Sequence, residues 1–239
     1  MTRLKWIAGG AVAALLVLPV AADRVAAEVI ERRIASRLAC AAALATAPEV
    51  TVGGFPVLDQ LAAGRLDEVR VSAADVTVSR VTLRQVSVVA RDLALSGGLT
   101  AGSLTADATV DWAAVGRLGG AARIAGADDG GRLVLEAEVP VRGITLPATV
   151  YADIALSGDA LTVTPAEIEL SALGLRLPAE RLPAAARQSR RIDLPELPAG
   201  VAYDRVSATS DGLTVSVTAN QKITAGGDAG RKQTCGGQE

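Results

Sequence analysis

From Leu66 to Ala219 apolar residues recur at every second position in run after run, with no long helical pattern between them. Val69, Val71 and Ala73 lead to Val76 and Val78, then to Val81 and Leu83, Val86 and Val88, and Leu93 and Leu95. A second set begins at Leu133, Leu135, Ala137, Val139 and Val141, and continues through Val150, Ala152, Ile154 and Leu156 to Leu161, Val163, Ile168 and Leu170. Such alternation puts apolar side chains on one face of a strand and polar ones on the other. Strands that follow one another without crossover helices pair antiparallel, because parallel neighbours need a connection of a dozen residues or more. Ser157-Gly158-Asp159 reads as a turn, and Asp211-Gly212 joins a hairpin of 201–208 and 213–219. A turn leading into a brief helix is expected over 55–63, a short helix over 112–118, and a short helix with a loop over 178–191.

Ahead of the strands the period is different. Residues 1–5 are basic, and from Trp6 to Ala22 run seventeen residues without a charge, ending in Pro19-Val20-Ala21-Ala22. A basic start, an apolar centre and a small-residue end are the pattern of an export signal, cleaved before Asp23 or retained as a membrane anchor. After it, Ala26, Ile30, Ile34, Leu38 and Ala41 recur at helical steps, so an amphipathic helix is expected from Asp23, its cap, to about Leu44. It is read either as a helix packed on the sheet or as a lid over a ligand cavity or a membrane-surface helix; Glu28 and Glu31 dilute the positive face that the last would need. In an exported chain an even cysteine count points to pairing, so Cys40 and Cys235 are expected to form a disulfide that ties the two ends together.

Composition removes whole classes of function. The 239 residues contain no histidine, and with it go the usual general base near neutral pH, the common triads and the commonest zinc ligand. Aromatic residues amount to 2% and the net charge is -2, so neither base stacking nor phosphate tracking is provided for, and no nucleic-acid partner is expected. The pairs Asp67-Glu68, Asp128-Asp129 and Glu136/Glu138 alternate with apolar faces or lie in turns, and read as solvated rather than catalytic. Arg187, Arg190 and Arg191 read as a solvated loop, with a lipid phosphate as the functional alternative. One domain over 23–223, preceded by the leader 1–22 and followed by a Gly-rich tail 224–239, is the expected organisation, with two similar half-sheets as the alternative. So much apolar strand surface exceeds what one helix can cover, and a strongly twisted sheet curls around its own helix or around an acyl chain.

The stretch Pro48-Glu49-Val50-Thr51-Val52-Gly53-Gly54-Phe55-Pro56-Val57-Leu58-Asp59-Gln60-Leu61, followed by Gly64 and Leu66-Asp67-Glu68-Val69-Arg70-Val71, resembles the opening motif of the LmeA-like phospholipid-binding family. Val57 stands where that family has a second Phe, and Asp59 where it has Thr. The resemblance implies an α+β fold, a long, strongly curved antiparallel β-sheet wrapped around an N-terminal amphipathic helix, similar to tubular lipid-binding domains of the bactericidal/permeability-increasing type. It implies a non-catalytic extracytoplasmic protein without cofactor or metal, a carrier or accessory factor in cell-envelope lipid and lipoglycan maintenance. Its implied partners are a phospholipid or related envelope lipid, the membrane surface and an envelope glycosyltransferase.

Motif position and strand and helix periodicity together nominate Phe55, Pro56, Leu58, Leu61, Ile30, Ile34 and Leu38 as the lipid-contacting residues. Phe55, the sole Phe, either plugs the end of the sheet against the helix or borders the acyl-chain entrance. Two rival functions remain at this level. One is a structural envelope scaffold filled by its own side chains and acting through a protein partner; the other is a histidine-free hydrolase or transferase built on converging carboxylates.

Overall fold

The computed structural model describes residues 2–42, 44, 46–78, 81–95, 99–116, 123–141, 144–170, 174–181, 187–220 and 223–225. The elements run in the order α1 (Thr2–Ala41), β1 (Glu49–Gly53), α2 (Val57–Ala62), β2 (Arg65–Val78), β3 (Val81–Ala94), β4 (Leu99–Ala101), β5 (Ser103–Val110) and α3 (Trp112–Gly116). There follow β6 (Arg123–Ala127), β7 (Leu133–Val141), β8 (Ile144–Ser157), β9 (Ala160–Leu170), β10 (Leu175–Pro178), β11 (Arg190–Asp193), β12 (Ala202–Thr209), β13 (Gly212–Ala219) and β14 (Ile223–Ala225). Contacts divide the chain into two compact units. The first comprises Met1–Ala73, Val88–Leu104 and Asn220–Glu239, and the second Ala74–Ser87 and Thr105–Ala219.

In the first unit β1 pairs antiparallel with β2, in the register Glu49↔Ser72 to Gly53↔Glu68; β3 lies next to β2, β4 pairs with β3 and β14 with β4. The alternation of β1 turns Val50 and Val52 inward and leaves Glu49 and Thr51 outside. Those two valines join Leu66, Val69, Leu93 and Ala101 from the strands, Ala27 from α1 and Val57 from α2 in one apolar core. Leu66 is 0% exposed and Val57 2%, so both are closed off completely from water. The α1 stripe borders this core through Ile30, Ile34, Ala35 and Leu38, which is the arrangement of a helix packed on a sheet.

The amphipathic pattern does begin near Asp23, but the helix does not. Its Ala- and Leu-rich upstream run continues the same helix back to Thr2, with Pro19 inside it, and Asp23 is therefore an interior residue and not the amino-terminal cap. Among the described residues no helix is long and apolar enough to cross a membrane.

The second unit holds the distal part of β3, then β5, β13 and β12 in hydrogen-bonded order, together with a separate sheet in the order β10-β9-β8-β7-β6. A single curved sheet was the expectation. Instead the middle of the chain, β6 to β11, pairs only with itself, and neither sheet closes among the described residues. β9 pairs along one edge with β8, and along the other with β11 over Ala160–Val163 and with β10 over Glu167–Leu170. Leu133 and Ala152 of the separate sheet meet Ala208 of β12, with Trp112, Ile124 and Leu213 around them. The Trp112 indole Nε1 donates to the carbonyl of Thr209 at 3.0 Å. Gly212 opens β13 at φ +154, where a Cβ would stand 2.1 Å from the Val110 carbonyl oxygen, so only glycine lets β13 approach β5 this closely. The stretch expected as a helix with loop over 178–191 contains a 3-10 turn, Ala179–Arg181, but also the strand β11; the free edge of β9 recruits Arg190–Asp193 by main-chain pairing that no local pattern announces. Short helices over 57–62 and 112–116 agree with the sequence reading, as do the turns at 158–159 and 210–211.

Candidate functional site

In the first unit the Gly53–Leu61 motif is the link between β1 and α2. Gly54 takes φ +90, and a Cβ there would lie 2.3 Å from Nε2 of Gln60, so the turn excludes any side chain. Gln60 is buried at 8% exposure and explains why the turn holds. Its Nε2 donates to the Gly53 carbonyl at 3.3 Å and its Oε1 accepts from the Asp67 N–H at 2.9 Å, which ties the start of the motif to the start of β2.

Helix α1 holds the same segment from the other side. Oδ1 of Asp23 accepts the Leu58 N–H at 2.9 Å, and Oε1 of Glu31 accepts the Val52 N–H at 2.8 Å. Pro56 precedes α2 and offers no side-chain cap, so Asp23, 35 residues away, satisfies a first-turn donor of that helix in its place. Glu31 satisfies a donor of β1 on the side away from β2. Asp23 is 2% exposed, and its second oxygen, Oδ2, has no hydrogen-bond partner.

With its flanks fixed in this way the motif displays its tip. Phe55 is 58% and Leu58 42% exposed, Pro56 is exposed beside them, and the Phe55–Pro56 peptide bond is cis. The Arg24 guanidinium carbon lies 6.0 Å from the Phe55 ring centroid. Phe55 is thus not a plug between sheet and helix; the neighbouring Val57 fills that position. Of the nominated residues, Ile30, Ile34, Leu38 and Leu61 border one core cluster, whereas Phe55, Pro56 and Leu58 stand outside it. Asp23, Glu31 and Gln60 are absent from that nomination. Gln60 was visible in the motif, but nothing local marks Asp23 and Glu31, whose partners lie 35 and 21 residues away. The expected Cys40–Cys235 bridge falls on Cys235, which lies outside the described residues.

Beside the motif Glu68 faces Gly53 across the β1–β2 ladder and is engaged by Arg91 at 3.1 Å and Arg70 at 2.8 Å. The hydrogen bond from Arg91, reinforced by the charges of both arginines, holds its carboxyl below the usual glutamate range. In the second unit the Asp128 carboxylate accepts the Gly130 and Arg132 N–H groups and the Arg132 side chain, and these bonds lower its pKa, the Arg132 backbone bond first. Tyr151 lies between the Arg132 and Arg176 guanidinium groups, 5.2 and 4.9 Å from its ring centroid. Desolvation, then its bond to Glu169, raises the Tyr151 pKa, while Arg176 and then Tyr151 lower that of Glu169. Arg191 of the basic cluster pairs with Asp193 at 3.2 Å.

These acids serve as acceptors and ion-pair partners on a sheet surface, each spoken for by a named donor. Among the described residues no group of three or more His, Cys, Asp or Glu stands together to hold a metal ion. An open hollow of about 400 Å³ in the second unit, between the turn at 158–159 and the segment 196–203, is bordered by the carboxylates of Asp159 and Glu196 beside Leu197 and Tyr203.

Comparison with known proteins gives one result that covers the region just described. The family model of LmeA-like phospholipid-binding proteins matches residues 21–218, which takes in the helix from Asp23, the motif and both sets of strands. No curated protein and no solved structure matches the chain. A match across most of the length establishes that the chain belongs to the LmeA-like phospholipid-binding family.

Proposed function

We propose that this protein is an exported, non-catalytic phospholipid binder that works on the extracytoplasmic side of the plasma membrane, as a carrier or accessory factor in envelope lipid and lipoglycan maintenance. The observation that carries this reading is the family match over residues 21–218. Supporting it, Gly54, Gln60, Asp23 and Glu31 spend their interactions on presenting Phe55 and Leu58 to the outside, where large apolar side chains gain nothing for the fold. In this reading the acyl chains run from that tip along the strand faces and α1, in the manner of tubular lipid-binding domains. The leader 1–22 directs export, and in the oxidising compartment Cys40 and Cys235 pair.

One observation favours a second reading. Ile30, Ile34 and Leu38 already border a core of the protein's own side chains, as they would in a structural scaffold that acts through a partner such as an envelope glycosyltransferase. Transfer of a fluorescent phospholipid from donor vesicles separates the two. A carrier removes labelled lipid from the vesicles in proportion to protein added; a scaffold leaves it there and co-purifies with an envelope enzyme.

A further inference from the structure

The outward side of the first unit carries a surface that the strand pattern does not explain. Leu18 is 67%, Val25 60% and Val29 42% exposed, and these positions, seven and four apart, form one stripe on α1 facing away from the core. Residues 18–22 are exposed on every side and carry no charge. Phe55 and Leu58 stand at the end of that stretch, the first against Arg24 and the second tied to Asp23.

The charges around this apolar surface are lopsided in a way the linear sequence conceals. Of the acids on α1, Asp23 is buried and Glu31 is turned inward onto Val52, so Glu28 is the exposed one, and it is paired with Arg32. Arg24, Arg32, Arg33 and Arg37 are all exposed, and Arg32 and Arg33 continue the Val25–Val29 side by one turn. On the motif side Glu49, Asp59, Arg65 and Asp67 are exposed. Among the exposed charges of α1 from Arg24 to Arg37, four arginines stand against one acid, a local excess of positive charge on a chain whose net charge is -2. Apolar side chains ringed by arginine fit an interface in which apolar groups enter the head-group layer and guanidinium groups meet lipid phosphates.

We infer that two exposed apolar patches near the same end of the packed part of α1, Val25 and Val29 on its outer face and Phe55 and Leu58 on the motif, with Arg24, Arg32 and Arg33 beside them, dock on a bilayer containing anionic phospholipid. This deepens the lipid-binding reading and rests on it for physiological meaning: Phe55 is the membrane contact through which lipid is collected. The surface survives cleavage before Asp23, because all seven residues lie beyond it.

The test uses the full chain recovered from the envelope of an exporting host, floated with vesicles of phosphatidylcholine alone or with phosphatidylglycerol. It compares wild type with F55S/L58S, V25S/V29S and R33E/R37E, so that any leader contribution is common to all. Wild type is expected to partition onto the phosphatidylglycerol vesicles, and raised salt to release it. Each double variant should bind them at least about tenfold more weakly, with an unchanged circular-dichroism spectrum; V25S/V29S alters only solvent-facing helix positions. Variants that float like wild type would overturn the assignment. So would a wild type that ignores the vesicles, which would leave the surface to a protein partner.

Uptake of a monomeric short-chain phosphatidylglycerol is read in parallel. Uptake without flotation removes the docking surface and spares the lipid-binding reading; flotation without uptake does the reverse.

Discussion

Asp23 joins α1 and the motif through one side chain. Its Oδ1 takes the Leu58 N–H while Oδ2 stays buried without a partner, so the residue works as a main-chain acceptor. Asp23→Ala leaves a first-turn donor of α2 unpaired and is expected to cost about 1–3 kcal/mol in urea unfolding, whereas Asp23→Asn, which keeps an acceptor oxygen, should cost less. Gly54 and Gln60 form the other half of the support. Ala at 54 would need φ +90 and would displace Gln60 Nε2, so Gly54→Ala should cost about 1–3 kcal/mol. Gly54→Ala disturbs the Gln60 Nε2 bond that Gln60→Ala also removes, and their combined loss should fall short of the sum; strict additivity in a double-mutant cycle would contradict the coupling. From sequence the motif was legible as a turn, but not whether Phe55 plugs the sheet or stands outside it. Its clamp was not, because hydrogen bonds from Asp23 and Glu31 to distant main-chain groups leave no mark in a local pattern.

The strands record their irregularities more openly. Apolar positions run odd through Ala73 and even from Val76, and between them Asp75 takes φ 51; they run even through Val88 and odd from Leu93, and Asp92 takes φ 51. A residue in the left-handed region adds one position to the alternation and returns the apolar set to the same face. The switch from Val163 to Ile168 is likewise matched by a register shift, where Tyr151 pairs with Glu167 and Ala152 with Pro165. Charge pairs then hold the strands across their polar faces. Glu68, Asp128 and Glu169 all have carboxyl pKa values lowered in the folded protein by named donors. A depressed folded pKa contributes stability above the unfolded value and loses it as pH falls through the folded one. Thermal stability should therefore hold from neutral pH down to the ordinary carboxylate range and fall below it. Arg91→Gln, which removes the first cause of the Glu68 shift, should make that acid limb shallower. An acid limb as steep as that of the wild type would contradict this role for Arg91.

At the scale of the whole molecule, the α+β class, the antiparallel pairing and the order of helix, motif and strands follow from periodicity. The partition into two sheets does not. It depends on pairings such as that of Thr109 with Thr214, whose side chains hydrogen-bond at 2.9 Å across 105 positions, and loop-closing contacts of that span have no signature in alternation. Function shows the same division. Missing histidine and scarce aromatics exclude mechanisms, the family match over residues 21–218 supplies lipid binding, and the proposed contact at Phe55 and Leu58 rests on their exposure. Native mass spectrometry of the protein gently recovered from the envelope, followed by extraction and identification of whatever is bound, tests this most directly. The expected result is a protein mass raised by one or more phospholipids that are lost on extraction. A bare polypeptide mass, unchanged after incubation with phospholipid vesicles, would contradict it.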